Sequence, residues 1–412
     1  MSLGTSPVDP ALTLPEIRAA AELLRGVAIT TPMEESRWLS GVVDGKVLLK
    51  CENLQRTGSF KIRGAYVRMS RLSAEERARG VVAASAGNHA QGVALAAKML
   101  GIRATVFMPE GAPIPKLNAT RAYGADVVFH GSILDEALTR AIQYAEETGA
   151  VLIHPFDHTD IVVGQATCGL EILDQAPDAR TVLVPTGGGG FLAGIALAIK
   201  QQRPDIRVVG VQAEGAAAYP ESLAAGAPVP LPSMTTMADG IAVACPGDVP
   251  FAAISTLVDE IVTVSEESIS RALVLLLERA KVVVEPAGAV AVAAVLDRPE
   301  VVVEPAVAVL SGGNVDPLLL SKLIRHGLAS AGRFLNVGVR IPDRPGGLAR
   351  LLGELADVGA NVLDVVHERT SGTLHLDEVE VHVQMETRGP EHAEAVLTRL
   401  REHGYRVSQA GS

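Results

Sequence analysis

Cys51-Glu52-Asn53-Leu54-Gln55-Arg56-Thr57-Gly58-Ser59-Phe60-Lys61-Ile62-Arg63-Gly64-Ala65 carries the chain from a strand, through a polar turn, into a helix. The apolar run Val47, Leu48, Leu49 precedes it, and Ile62, Ala65, Tyr66 and Met69 follow at helical spacing. Lys61 falls at the helix start. A primary amine there, crowded by Phe60 and Ile62 and flanked by Arg56 and Arg63, has its charged form disfavoured by desolvation and like charge, and a neutral amine is a nucleophile. The same residues also suit a surface lysine beside a capping Gly-Ser turn. The stretch alone therefore decides strand, turn and helix, and leaves the chemistry open.

Outward from it, the composition fits strands and helices alternating around close-packed backbones: 412 residues, 40 of them Gly, and only 3% aromatic. That length allows two or three domains. Lys plus Arg total 36 against 47 Asp plus Glu, a net charge of −11, with no long basic run and few aromatics to stack on bases, so nucleic acid is excluded as a partner. No window approaches the roughly 20 apolar residues that span a bilayer, and the first residues do not read as a leader, so no membrane is expected and the protein is expected in the cytoplasm. Cys51, Cys168 and Cys245 are too few and too scattered for a disulfide framework or a zinc site.

Towards the N-terminus, a first helix is expected over 14–25 and a strand over 46–51. Past Lys61, the buried-strand run 81–84 ends in Ser85-Ala86-Gly87-Asn88-His89-Ala90-Gln91-Gly92, which opens a helix over 93–100. Small residues at 85–87 leave the first helical amides uncovered, ready for a carboxylate or phosphate with help from the Ser85 hydroxyl and the Asn88 side chain. Alternation then continues: strand 104–108, helix 115–123, strand 126–129, helix 134–148, strand 151–154. A second α/β stretch follows, with helix 159–173 and strand 181–185 running into Thr186-Gly187-Gly188-Gly189-Gly190 and a helix over 191–201. Four consecutive glycines cost conformational entropy, and close approach of their amides to a phosphate offsets it. Gly188-Gly189-Gly190-Phe191-Leu192-Ala193 also fits a dinucleotide-binding turn, with Glu214 placed for a ribose.

Further on lie Ala238-Asp239-Gly240-Ile241-Ala242, a helix over 266–280, and Glu285-Pro286-Ala287-Gly288, which begins a helix over 289–296. The strand 306–310 ends in Ser311-Gly312-Gly313-Asn314, a hydroxyl at the carboxyl end of a parallel strand, where α/β folds place ligands. The tail changes grammar: strand 335–341, helix 346–358, strands 361–370 and 375–386, helix 390–403, strand 405–408. That order is the ferredoxin-like split βαβ, a separate α+β module whose boundary is expected near 328–332.

Taken together, the motifs at 57–65, 85–92, 187–190 and 311–314 resemble those of the threonine dehydratases (threonine ammonia-lyases), in the tryptophan-synthase-like, fold type II group of pyridoxal 5'-phosphate enzymes. The likeness runs from about residue 14 to residue 325. The tail resembles an ACT regulatory domain, including Pro345-Gly346-Gly347-Leu348 and Gly359-Ala360-Asn361-Val362. The resemblance implies two open parallel-sheet domains, a large cofactor-binding one from residues 1–50 and 155–328 and a small substrate-side one from 51–154, with an ACT domain over 333–412. It also implies roles. Lys61 would hold pyridoxal phosphate as a Schiff base and act as general base; Gly187, Gly188, Gly189 and Gly190 would cradle its phosphate; Asn88 would bond its ring hydroxyl; Phe60 would pack against the ring. Ser311 would face the pyridine nitrogen. A serine cannot fully protonate that nitrogen, so expulsion of a β-hydroxyl is favoured over transamination. Ser85, Ala86, Gly87, Asn88 and His89 would hold the substrate carboxylate.

The implied reaction converts L-threonine to 2-oxobutanoate and ammonia, and L-serine to pyruvate. Related serine racemases carry a second serine base where this chain has Ala86, and a divalent cation near the position of Glu214, where Tyr219-Pro220 stand close by. No metal is therefore expected. A serine dehydratase or racemase remains an alternative, a dinucleotide-binding oxidoreductase a more distant one, and a noncatalytic amino-acid sensor a third; a threonine synthase would want cations near 85–89, where the sequence offers none. The ACT-like tail implies a branched-chain amino-acid effector between subunits and a homodimer or homotetramer.

Overall fold

The four-residue runs Val47–Lys50, Val81–Ala84 and Ala306–Val309 are buried at every position, as parallel strands covered on both faces must be. In the computed structural model, which describes residues 12–369, 374, 375 and 377–409, they form the middle of two sheets. The chain divides into two units, Met1–Pro317 and Leu318–Ser412. Strands of the first are β1 (Met33–Glu35), β2 (Val47–Lys50), β3 (Val81–Ala84), β4 (Ala104–Met108), β5 (Asp126–Phe129), β6 (Val151–Leu152), β7 (Thr181–Pro185), β8 (Arg207–Ala213), β9 (Glu260–Val264) and β10 (Ala306–Val309). One sheet has the order β1-β2-β10-β7-β8-β9 and is parallel except for its edge, β1. The other, β5-β4-β3-β6, is parallel throughout. The expected pair of open parallel sheets is present. The chain leaves the larger sheet after β2, builds the smaller one whole, and returns at β7, so Lys61 lies where it crosses.

Small residues fix the distance between the helices that carry the motifs. A Cβ added at Gly64 would stand 2.6 Å from Gln165 Nε2, one at Gly164 2.6 Å from Gly64 Cα, and one at Gly194 2.7 Å from the Ala166 nitrogen. The helix Thr159–Gln175 is thus gripped, backbone to backbone, by the helices Lys61–Ser70 and Gly190–Lys200. Gly92 lets the helix Asn88–Leu100 approach Lys61 in the same way, its added Cβ 3.2 Å from the Lys61 carbonyl oxygen. Beneath lies a closed charge cluster. Arg63 Nε and Nη2 each donate to Glu52 at 2.8 Å and Nη1 donates to Glu171 at 2.7 Å, while Lys50 Nζ donates to Glu171 at 2.6 Å. Two cations and two carboxylates balance there, as buried charges must.

Several expectations are corrected. The helix expected from 93 starts at Asn88, because nothing in Asn88-His89-Ala90-Gln91-Gly92 stops a helix once Gly87 has provided the non-helical entry. The single helix expected over 266–280 is Glu266–Leu275 followed by a wider turn, Leu276–Ala280, which Lys281 ends with φ 61°. Helices Arg37–Val43 and Asp248–Leu257 are additions whose short, irregular apolar patterns gave no period to read.

In the second unit, the helix Pro317–Ser330 leads into β11 (Phe334–Pro342), the helix Gly347–Asp357, β12 (Asn361–Glu368), β13 (Glu378–Glu386), the helix Pro390–Glu402 and β14 (Arg406–Gln409). The antiparallel sheet has the order β12-β13-β11-β14, the ferredoxin-like arrangement expected from sequence. Alternate residues of β13, Val379, Val381, Val383 and Met385, are buried against Leu351, Leu355 and Leu397 of the two later helices. The units part at Pro317/Leu318, where the sequence suggested 328–332. Thr370, the expected end of a strand, and the start of the chain up to Ala11 lie outside the described residues.

Candidate active site

Four stretches far apart in sequence meet around Lys61. The backbone of Ser59 pairs with that of Gly312, the Phe60 amide donates to the Ser311 carbonyl at 3.3 Å, and the Gly313 amide donates to the Gly58 carbonyl at 2.8 Å. Ser311-Gly312-Gly313-Asn314 is thereby zipped to the turn before the lysine. The Ser311 hydroxyl, 4% exposed, donates to the Ala287 carbonyl at 3.4 Å. Phe60 stacks on Phe191 with ring centroids 3.8 Å apart, which ties the lysine to the helix that follows the glycines.

Lys61 is half-buried, and its Nζ donates to the Pro155 carbonyl at 3.0 Å and lies 5.1 Å from the Phe60 ring centroid. Burial pushes its amine down to about 8, and the carboxyl group of Glu285 pulls the other way. The expected push from like charges is not what acts here. Arg63 is turned away and held by Glu52 and Glu171, so desolvation does the work.

The turn at 187–190 is wedged against protein on its outer side. A Cβ at Gly188 would run into the Phe156 ring and one at Gly189 into the Tyr219 hydroxyl, and Gly189 itself has φ 98°, which favours glycine. The amides of Gly187, Gly188, Gly189 and Gly190 donate to no protein acceptor among the described residues. Since Gly190 opens a helix, these amides form a ready anion site. A second such site is the Ser85 loop. Ser85 Oγ accepts from the Gly87 amide at 3.1 Å, while the amides of Ala86, Asn88 and His89 have no acceptor among the described residues. Asn88 Oδ1 accepts from Asn314 Nδ2 at 2.8 Å and Asn88 Nδ2 donates to Glu285 Oε1 at 2.5 Å. The His89 ring instead donates from Nε2 to the Ile153 carbonyl at 2.8 Å, and burial pushes its pKa down to about 3, so it stays neutral and offers the loop only its amide.

Residues 24–312 match the family described as pyridoxal-phosphate dependent enzyme, and residues 336–404 match the ACT domain. The chain belongs to the pyridoxal-phosphate dependent enzymes. This pyridoxal-phosphate dependent enzyme is 46% identical over 400 residues, 97% of its own length and 100% of the relative's, to an L-threonine ammonia-lyase of Thermotoga maritima. Among solved structures, a processed threonine deaminase isoform 2 from Solanum lycopersicum matches with TM-score 0.72 and 39% identity over 78% of this chain and 96% of that one. A maize serine racemase matches with TM-score 0.72 and 36% identity over 77% and 98%.

The residues present fit pyridoxal phosphate: an amine of lowered proton affinity, and a glycine turn whose amides have no protein acceptor. Three further parts of this pyridoxal-phosphate dependent enzyme escaped the sequence reading. Pro155 and Phe156 hold both the lysine and the glycine turn, one through a carbonyl and the other through packing. Lys116 supplies a cation where none was expected: a Cβ on Gly87 would stand 3.6 Å from Lys116 Nζ, which pairs with Asp239 at 2.8 Å. Glu285, read only as a helix start, is 2% exposed and faces Asn88. A lysine directly after Pro-Ile-Pro at a helix start was the one signal that could have pointed to Lys116.

Proposed function

We propose that this enzyme deaminates L-threonine to 2-oxobutanoate and ammonia, and L-serine to pyruvate, by elimination of the β-hydroxyl. The observation that carries the reading is a weakly basic amine set among uncommitted helix N-termini, in a chain 46% identical to an L-threonine ammonia-lyase. Lys61 would hold pyridoxal phosphate covalently, with residues 187–190 on its phosphate, Asn88 on its ring hydroxyl, Phe60 against its ring and Ser311 at its ring nitrogen. When bound, the cofactor supplies a sink for the electron pair left on Cα after proton removal.

The chain's own residues do the rest. Ala86, Asn88 and His89 amides take the substrate carboxylate, and Lys116 adds a positive charge beside them. That fixes Cα before the lysine. Lys61 Nζ, neutral once displaced, takes the Cα proton, and its lowered proton affinity keeps a useful fraction neutral near pH 8. Ser311 presents a neutral hydroxyl in place of a carboxylate, which weakens the sink and favours loss of the β-hydroxyl. Ala86 has no side-chain base to return a proton from the opposite side, which disfavours racemisation.

In this reading the larger sheet forms the cofactor half and the sheet β5-β4-β3-β6 the substrate half. The second unit contains a cavity of about 460 Å³ bounded by Ile341, Asp343, Arg344, Leu348, Arg369 and Val379. Its apolar wall and arginines suit a branched-chain amino acid as effector. Leu363 and Val366 of the edge strand β12, 48% and 52% exposed, suit pairing with a second copy, giving a dimer or tetramer.

The test is the visible spectrum before and after L-threonine, with oxo-acid release followed in the same cuvette, for the wild type and Lys61→Ala. A cofactor band that changes with threonine, oxo-acid formation, and loss of both in the variant are the expected results. A protein that takes up no pyridoxal phosphate would overturn the reading.

A further inference from the structure

We propose that Glu285 is a positioning residue for the cofactor pocket: its buried carboxyl group accepts one N–H of Asn88 and so presents the other N–H, and not the Asn88 carbonyl, to the pocket. The inference rests on the cofactor reading above and deepens it by naming a residue that acts through Asn88.

Three motifs meet at this carboxyl group. Glu285 is the last residue before the helix Pro286–Asp297, a position from which an acidic side chain can cap its own helix, yet it makes no such cap. Its backbone amide donates to the Gly312 carbonyl at 3.0 Å, and its side chain turns to Asn88 Nδ2 at 2.5 Å. The neighbours leave it no other course. A Cβ at Gly312 would collide with Glu285 Oε1, so that glycine makes room for the carboxyl group, and a Cβ at Gly240 would lie in ordinary contact with the same atom.

The Asn88 amide is pinned from both ends. Asn314 Nδ2, itself bound to the Thr57 carbonyl at 2.5 Å, donates to Asn88 Oδ1 at 2.8 Å, so that oxygen is committed. Glu285 takes one hydrogen of Asn88 Nδ2. The other has no acceptor among the described residues and is the group left for the pocket. An amide held this way can only donate, which selects a partner oxygen that accepts. Without Glu285, Asn88 is free to turn over and present its carbonyl.

Among the described residues no cation makes an ion pair with this carboxyl group. Glu285 Oε2, fully buried, has no partner among the described residues. The charged groups that face it are Asp239 from the turn Asp239–Ile241, Lys116 from the helix Ile114–Ala122 and Lys61 from the helix Lys61–Ser70. Burial first, and Asp239 second, push its proton affinity up, to about 7, against Lys116, the Asn88 bond and Lys61. Near neutrality one proton is therefore gained or lost beside the Asn88 donor. A group bonded to that donor feels the change.

The experiment loads the wild type, Glu285→Gln, Glu285→Ala, Asn88→Ala and the Asn88→Ala/Glu285→Ala pair with pyridoxal phosphate and measures cofactor dissociation constants and the pH titration of the visible band, without substrate. Glutamine keeps an acceptor for Asn88 but cannot titrate. It should bind cofactor within about threefold of the wild type and lose the inflection near pH 7, whereas alanine should weaken binding about tenfold. On an Asn88→Ala background, Glu285→Ala should add nothing, because its effect runs through Asn88. Wild-type affinity and titration in both Glu285 variants, or penalties of Asn88→Ala and Glu285→Ala that simply add, would overturn the inference and leave the cofactor reading standing. A wild type that takes up no cofactor overturns both.

Discussion

Two cations leave one helix two residues apart and meet opposite surroundings. Arg63, 1% exposed, has a carboxylate on either side, and Glu52 and Glu171 hold it charged well above the usual arginine range. Lys61 is less buried, yet it is offered one carbonyl oxygen and has its proton affinity lowered to about 8. Burial opposes the charge on both and prevails only at Lys61. What separates a cation held charged from one that gives up its proton readily is whether a carboxylate stands within bonding reach.

The contrast is broken most sharply at the lysine. Lys61→Ala should lower turnover by at least about 10³-fold and abolish covalent retention of the cofactor, read by oxo-acid release and by the absorbance left after gel filtration. Next comes Arg63→Met, which strands Glu52 without a cation. It should lose about 3–5 kcal/mol in urea unfolding, and a second change, Glu52→Leu, should restore most of that, since removing both partners of a buried pair is close to neutral.

The two sites also differ in their response to pH. Lys61 has a folded pKa of about 8 against 10.5 for the free side chain, so between those values the unfolded chain holds the proton and the native state does not. Stability of the cofactor-free protein should therefore rise from about pH 8 to about pH 10.5, and Lys61→Met should flatten the rise. Glu52 has the same sign in a lower window: its pKa is held below 4.5, so its contribution is present above that value and disappears as acid protonates it in the native state. The smallest effect is expected at a third, intermediate cation. Lys116 is paired with an Asp239 whose side chain is 57% exposed, so the pair can open, and Lys116→Met should raise KM for threonine about fivefold with kcat nearly unchanged.

Much of this was legible in the chain itself, for physical reasons that differ by element. Runs such as Val182-Leu183-Val184 can only be strands buried on both faces, and glycines before a helix mark amides left open. Lys61, Asn88, the four glycines and Ser311 stand out because the roles proposed for them depend on residue identity: an amine, an amide, a hydroxyl, or a backbone no side chain covers. Pro155 does not, because it acts through a carbonyl that every residue possesses. Arg63 misled for the opposite reason. Its charge was visible, but the carboxylates that absorb it sit 11 and 108 residues away in sequence. Glu285 was hidden by an ordinary position, the residue ahead of a proline that starts a helix.

The detour of the chain between β2 and β7 bears on its synthesis. Val47 pairs with Ala306, so a strand translated early waits for its inner neighbour until almost the whole unit has left the ribosome. The smaller sheet can close meanwhile, since all four of its strands come from one continuous stretch. Lys61 is thus made early and enclosed late. A nascent chain that ends before Ala306 carries the Lys61 amine beside an open sheet edge, exposed to aggregation, and only the finished unit brings Ser311 and Asn314 to its neighbourhood.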